Sequence, residues 1–321
     1  MRRQKLLVGD TQFLLLLHHV PALGEKGISQ LLHCMARMRV KPGQWLELPA
    51  QEWQRLYGLG RKVASYIAEN RESLLRQSAD ALRQLQQRSV EVLWHGGRAY
   101  PQRLVRYEEL PPPILYVMGH RALLSSEGYR FTFTVAVSND APEAVLQQQD
   151  RIAADLMDLG GIPVTSQDRL PYQRLALAAQ RRNAPAVYVL DRGLREALGP
   201  ELNRPLFAAA RIREVRFRED RDAVFSPFRL DDHCIGAHNR RRDSLVFSLS
   251  DLVIALHVRP GGTMARECSR AEGQNKPVLY LNGLSGNALL REWSRGMAEE
   301  WACQVRNHSG AGPDAENVAG G

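Results

Sequence analysis

The sequence predicts an α/β protein: a mostly parallel sheet with helices on both faces, preceded by a small all-helical domain. Three observations predict it. Residues 1–86 place apolar side chains at helical spacing and contain few of the Val and Ile residues that favour strands. From about residue 90 onward, short apolar runs alternate with amphipathic stretches, the order that builds a helix-covered parallel sheet. Several of those runs are apolar throughout, as strands buried between two layers are. A chain of 321 residues with 44% apolar content is long enough for one full α/β domain and a smaller companion.

In the helical region, Leu14, Leu15, Leu16 and Leu17 follow Asp10 and lack a small-residue cleavage site, so they read as a buried helix rather than a secretion signal. Glycines interrupt the helices around Gly24 and Gly27, and again at Gly58 and Gly60. The second break has the pattern of a helix-hairpin-helix (SAM-like) element, with Leu59 between two glycines and a helix with Ala64 and Ile67 facing inward. Glycines allow the tight turn, and the next helix offers free N–H groups to a phosphate beside Arg61 and Lys62. A glycine-hinged helical pair that only packs is the alternative reading.

Residues 87–303 form the expected Rossmann-like domain. A short strand at its start is followed by Tyr100-Pro101, an acidic patch, Pro111-Pro112-Pro113, and an apolar strand closed by Gly119. Three prolines in a row favour an extended lead-in. Further strands are expected at residues 131–137, 162–165, 186–190, 252–256 and 277–281. The intervening helices are expected at 142–159, 171–182, 200–210, 240–249 and 262–272, several of them beginning with proline, which a first helical turn accepts. The small, polar, Gly-rich residues 304–321 read as a disordered tail.

A net charge of +8 and a pI near 9.6 favour polyanionic partners, nucleic acid first. Cys34, Cys234, Cys268 and Cys303 have no CxxC or disulfide-like spacing, which fits a reducing, cytoplasmic setting, and no run reaches membrane-spanning length. His233, Cys234, His238 and His257 match no familiar ligand set, so no metal is expected. Asp140, Asp168, Asp191 and Glu267 read more naturally as caps or solvated carboxylates than as acid–base pairs, so no catalytic residue is assigned.

Two stretches read as anion sites. A buried strand runs into Arg259-Pro260-Gly261-Gly262-Thr263, where glycines let a ligand approach backbone N–H groups and Thr263 caps the following helix, with Arg266 close by. Arg240, Arg241 and Arg242 lie near a helix N-terminus, where they oppose the helix dipole and suit bidentate phosphate contacts and base stacking. A solvated charge run is the alternative for the arginines, and a plain turn for the glycines.

The order of Tyr100-Pro101 with Leu104, the acidic patch, the triple proline with Leu115-Tyr116-Val117 and Gly119, and then an α/β domain resembles the DNA-processing protein A (DprA/Smf) family. Leu249-Ser250-Asp251 after the arginines, Leu190-Asp191-Arg192-Gly193-Leu194, and Pro200-Glu201-Leu202-Asn203 parallel further family segments. The resemblance covers about two thirds of the chain in element order and marks a divergent member. It implies single-stranded DNA binding in DNA processing, recombination and natural transformation, a RecA-type recombinase as partner, a homodimer, and neither enzymatic activity nor a cofactor. Where the family has Gly-Ser-Arg after its first sheet strand, this chain has Ser138-Asn139-Asp140, a degenerate phosphate turn. Ser166-Gln167 likewise replaces a glycine-bearing turn. The alternative is a nucleotide-binding sensor or nucleosidase of the wider superfamily that joins DprA to lysine-decarboxylase-like hydrolases, acting in phage defence or stress.

Overall fold

The computed structural model describes residues 9–124, 131–206 and 217–281. Five helices come first: α1 (Asp10–His19), α2 (Glu25–Met38), α3 (Pro42–Leu46), α4 (Ala50–Tyr57) and α5 (Arg61–Gln87). Leu14 to Leu17 are buried in α1, as the run of leucines predicts. Trp45 and Trp53 stack with ring centroids 5.0 Å apart beneath them, so this layer has an aromatic centre.

The sheet then follows as β1 (Glu91–Trp94), β2 (Ile114–Gly119), β3 (Thr132–Val137), β4 (Ile162–Thr165), β5 (Val187–Val189), β6 (Ala223–Ser226), β7 (Leu252–His257) and β8 (Val278–Tyr280). Its order is β1-β2-β6-β5-β4-β3-β7-β8. The strands from β6 through β8 in that order are parallel, while β2 pairs antiparallel with both β1 and β6. Between them lie α6 (Gln102–Tyr107), α7 (Glu143–Asp158), α8 (Leu170–Arg181), α9 (Leu194–Leu198), α10 (Gly236–Leu249) and α11 (Thr263–Gly273).

Strands predicted from apolar runs fall within one or two residues of their expected limits. The exception is β6, which has no counterpart in the sequence reading. Its four residues, bounded by Asp222 and Pro227, are too short for a periodic signal, yet they are fully buried between β2 and β5. The helix expected at 200–210 is also corrected: residues 200–206 are turn and coil after the short α9, and the rest lies outside the described residues, as does the tail 304–321.

One hydrophobic cluster runs from α1 and α5 across the sheet to Tyr116, Tyr188 and Ile254, so the helical layer and one sheet face share a core. Polar ties fix the same junction. Arg229 Nη2 donates to the carbonyls of Val20 and Leu23 at 2.8 and 3.2 Å, and Tyr116 Oη meets His18 Nδ1 at 2.8 Å. On the other face Lys276 Nζ donates to the carbonyls of Phe247, Ser248 and Ser250 at 2.6 to 2.7 Å, capping the end of α10.

Candidate nucleic-acid interface

From β3 the chain steps to β4, β5 and β6 on one side of the sheet, and to β7 and β8 on the other. The topological switch point therefore lies between β3 and β7, and a crevice outside their carboxyl ends is where open parallel sheets bind ligands. Ser138-Asn139-Asp140 leaves β3 there, and Arg259-Pro260-Gly261-Gly262-Thr263 leaves β7. The two turns are tied to each other: Ser138 N donates to the His257 carbonyl at 2.7 Å, and Arg259 N donates to Ser138 Oγ at 3.0 Å. Gly261 takes a left-handed φ of +70°, which swings the backbone into Gly262, the N-cap of α11. Arg266 folds back toward this turn, with Nη2 3.2 Å from Thr263 Oγ1. Arg259 and Arg266 are both exposed, and neither forms an ion pair among the described residues. Asp140 Oδ1 lies 3.8 Å from His257 Nε2 at the same mouth, so the degenerate turn contributes a carboxylate where the resemblance leads one to expect a cation.

The arginine triplet does not act as one patch. Successive helical residues point about 100° apart, so three in a row face three directions. Arg242 is fully buried at the end of β4, where its Nη1 donates to Ser166 Oγ at 2.9 Å and pairs with Asp168, and its Nε donates to Asp243 Oδ1 at 2.8 Å. The guanidinium also lies over the Tyr172 ring, 4.9 Å from its centroid. Arg241 is engaged by Glu108 Oε2 at 2.8 Å, Glu25 Oε2 at 2.9 Å and the Leu110 carbonyl at 2.7 Å. Only Arg240 of the three is exposed and without an ion-pair partner among the described residues. The expectation that all three reach phosphate is corrected on this point: carboxylates of the fold already engage two of them.

At the hairpin, Gly58 ends α4 with a φ of +68°, Leu59 is buried, and Gly60 is the N-cap of α5. No side chain caps the first N–H groups of α5, and Arg61 and Lys62 are exposed without ion pairs among the described residues. Helix α2 touches both the hairpin and α10, with Glu25 on Arg241 and, about 7.5 Å further along the helix, Gln30 against Gly58.

At the end of β5, the Cys234 thiol donates to Asp191 Oδ2 at 3.1 Å, and Arg192 Nε donates to Asp191 Oδ1 at 2.8 Å. Burial, followed by the bond to Asp191, pushes the Cys234 thiol pKa up, so it stays protonated rather than acting as a nucleophile. His233 pairs with Glu196 at 3.1 Å and His238 stacks on Phe228 at 4.1 Å. Among the described residues no group of His, Cys, Asp or Glu is arranged to hold a metal ion. Nor does any described helix have the length and apolar character to cross a membrane. Two residues decide what Arg241 can do: Glu108, whose one sequence signal is the acidic patch before the triple proline, and Glu25, which carries none.

No family model matches the sequence. No curated protein matches it either. Solved structures do. The X-ray structure of DNA processing protein A (DprA) from Streptococcus pneumoniae superposes with a TM-score of 0.64 at 15% identity, covering 91% of this chain and 94% of that one. This chain has the DprA fold. A structure of DprA from Helicobacter pylori, described for its single-stranded DNA binding mode, aligns with a TM-score of 0.49 at 17% identity over 67% of this chain and 96% of that one. The DprA likeness extends over helical region and sheet together, since 91% coverage of the chain cannot be reached by the sheet alone.

Proposed function

We propose that this chain is a divergent DprA-type protein that binds single-stranded DNA and takes part in DNA processing and recombination without itself being an enzyme. The observation that carries the reading is the DprA fold over nearly the whole chain, on a molecule of net charge +8. The exposed arginines at the carboxyl edge of the sheet support it: Arg259, Arg266 and Arg240 are free to meet phosphates, with Arg61 and Lys62 as a separate contact at the hairpin. Delivery of the strand to a RecA-type recombinase, and action as a homodimer in natural transformation, belong to the same proposal and rest on the resemblance. The test is fluorescence anisotropy of labelled poly-dT against a matched duplex across a salt series. Salt-sensitive binding that favours the single strand is the expected outcome, and no binding at low salt sinks the reading.

A second reading is favoured by one observation: the Gly261-Gly262-Thr263 turn sits at the topological switch point, and a Cβ at Gly261 would meet nothing within 4 Å. Such a turn suits a free nucleotide, as in a sensor or nucleosidase. Thermal unfolding with AMP, cyclic nucleotides or ADP-ribose separates the two. A ligand at a hundred times its Kd adds about 2.7 kcal/mol of stability, and the absence of any shift leaves DNA as the ligand.

A further inference from the structure

Two of the most exposed large apolar side chains among the described residues are Ile235, at 55% exposure, and Leu170, at 54%. Single exposed apolar residues are ordinary on protein surfaces. These two lie over the carboxyl ends of neighbouring strands, at the edge that carries the exposed arginines. Leu170 opens α8 just after β4, two residues beyond Asp168, whose carboxylate is bound by Arg242 of α10. Ile235 precedes α10 and is anchored over β5 by the bond from its neighbour Cys234 to Asp191. Arg240 follows one and a half helical turns later. Ile235 also breaks a local rule. It is the N-cap of α10, where Ser, Thr, Asp or Asn is strongly preferred because the side chain can accept a backbone N–H.

We propose that Leu170 and Ile235 form an apolar platform that takes the faces of unpaired bases. The inference rests on the single-stranded DNA reading and adds how the single strand is distinguished from duplex. Phosphate contacts by Arg240 and Arg259 attract either form, because both present phosphates along the backbone. Only an unpaired strand presents free base faces, since in a duplex these are stacked on one another. An apolar surface beside cations therefore converts general polyanion attraction into preference for single strands, with little preference among bases.

The test compares labelled oligo-dT with an abasic deoxyribose-phosphate strand of equal length, using the full chain and the double variant Leu170→Ser/Ile235→Ser. The wild type is expected to bind oligo-dT about tenfold more tightly than the abasic strand. In the double variant that ratio falls toward one, the salt dependence of binding is unchanged, and thermal stability holds because serine suits the N-cap. A double variant that keeps the full oligo-dT preference overturns the platform, as does a wild type that binds both strands equally. Should the variant shift the oligomeric state in sedimentation while leaving the strand preference intact, the platform is overturned in favour of contact with a second copy. Failure of the wild type to bind any strand defeats the DNA reading itself, and is told apart because the abasic strand is then not bound either.

Discussion

Arg241 Nη2 lies 2.9 Å from Glu25 Oε2, an ion pair that joins α10 of the sheet layer to α2 of the helical layer. The same guanidinium also holds Glu108, whose side chain is only 4% exposed. Arg241→Ala would leave that carboxylate buried without its closest charge, a loss on the order of 3 kcal/mol in denaturant unfolding. Arg240→Ala touches no such partner. Its unfolding midpoint should stay put, while the slope of log affinity for poly-dT against log salt should fall by about 0.7. Equal stability loss in both variants would contradict this division of labour along one helix.

How much of this was legible in sequence follows from which forces are local. Strands β3, β4 and β7 announce themselves as apolar runs, and Gly58-Leu59-Gly60 announces its turn, because burial and backbone freedom are properties of the residues themselves. Arg241 and Arg242 were misread for the opposite reason. An arginine is free or engaged according to what the fold sets beside it, and Glu25 and Asp168 lie 216 and 74 residues away. The missed β6 shows the same limit: four residues become a central strand only because β2 and β5 flank them.

Acid should loosen the junction between the helical layer and the sheet. Burial, with lesser repulsion from Arg229, lowers the His18 pKa from 6.5 to about 3, and its neutral ring shares a hydrogen bond between Nδ1 and Tyr116 Oη. The unfolded chain therefore binds a proton that the folded one refuses across that window, so the stabilisation is complete above pH 6.5 and is lost as pH falls toward 3. By this linkage alone, unfolding free energy should drop by about 2 kcal/mol between neutral pH and pH 5. His18→Gln should remove that part of the pH slope, as measured by urea titrations at each pH.

The hairpin should respond to charge and to backbone separately. Arg61→Ala/Lys62→Ala removes two exposed cations and should lower the salt slope for poly-dT by up to about 1.4 with no change in melting temperature. Gly58→Ala instead forces a side chain onto a φ of +68° and against Gln30 Nε2, 2.8 Å from where its Cβ would be. That variant should lose on the order of 1–2 kcal/mol of stability. An unchanged salt slope in the charge variant would assign the hairpin a packing role only.

Asp140 sets the sign of the charge at the mouth of the crevice. Its carboxylate stands at the mouth between β3 and β7, 3.8 Å from His257 and 54% exposed, with Ser138 of the same turn bonded to the backbone of Arg259. A phosphate drawn to Arg259 must approach this negative charge. At a separation of roughly 8 Å in a medium close to water, one such repulsion amounts to about 0.5–1 kcal/mol. Asp140→Asn should therefore tighten poly-dT binding by about two- to fivefold at low salt, and the gain should shrink as salt screens it. Its exposure means that stability should not move. If affinity falls instead, the carboxylate is accepting a hydrogen bond from the strand, and the turn has exchanged phosphate contact for base contact.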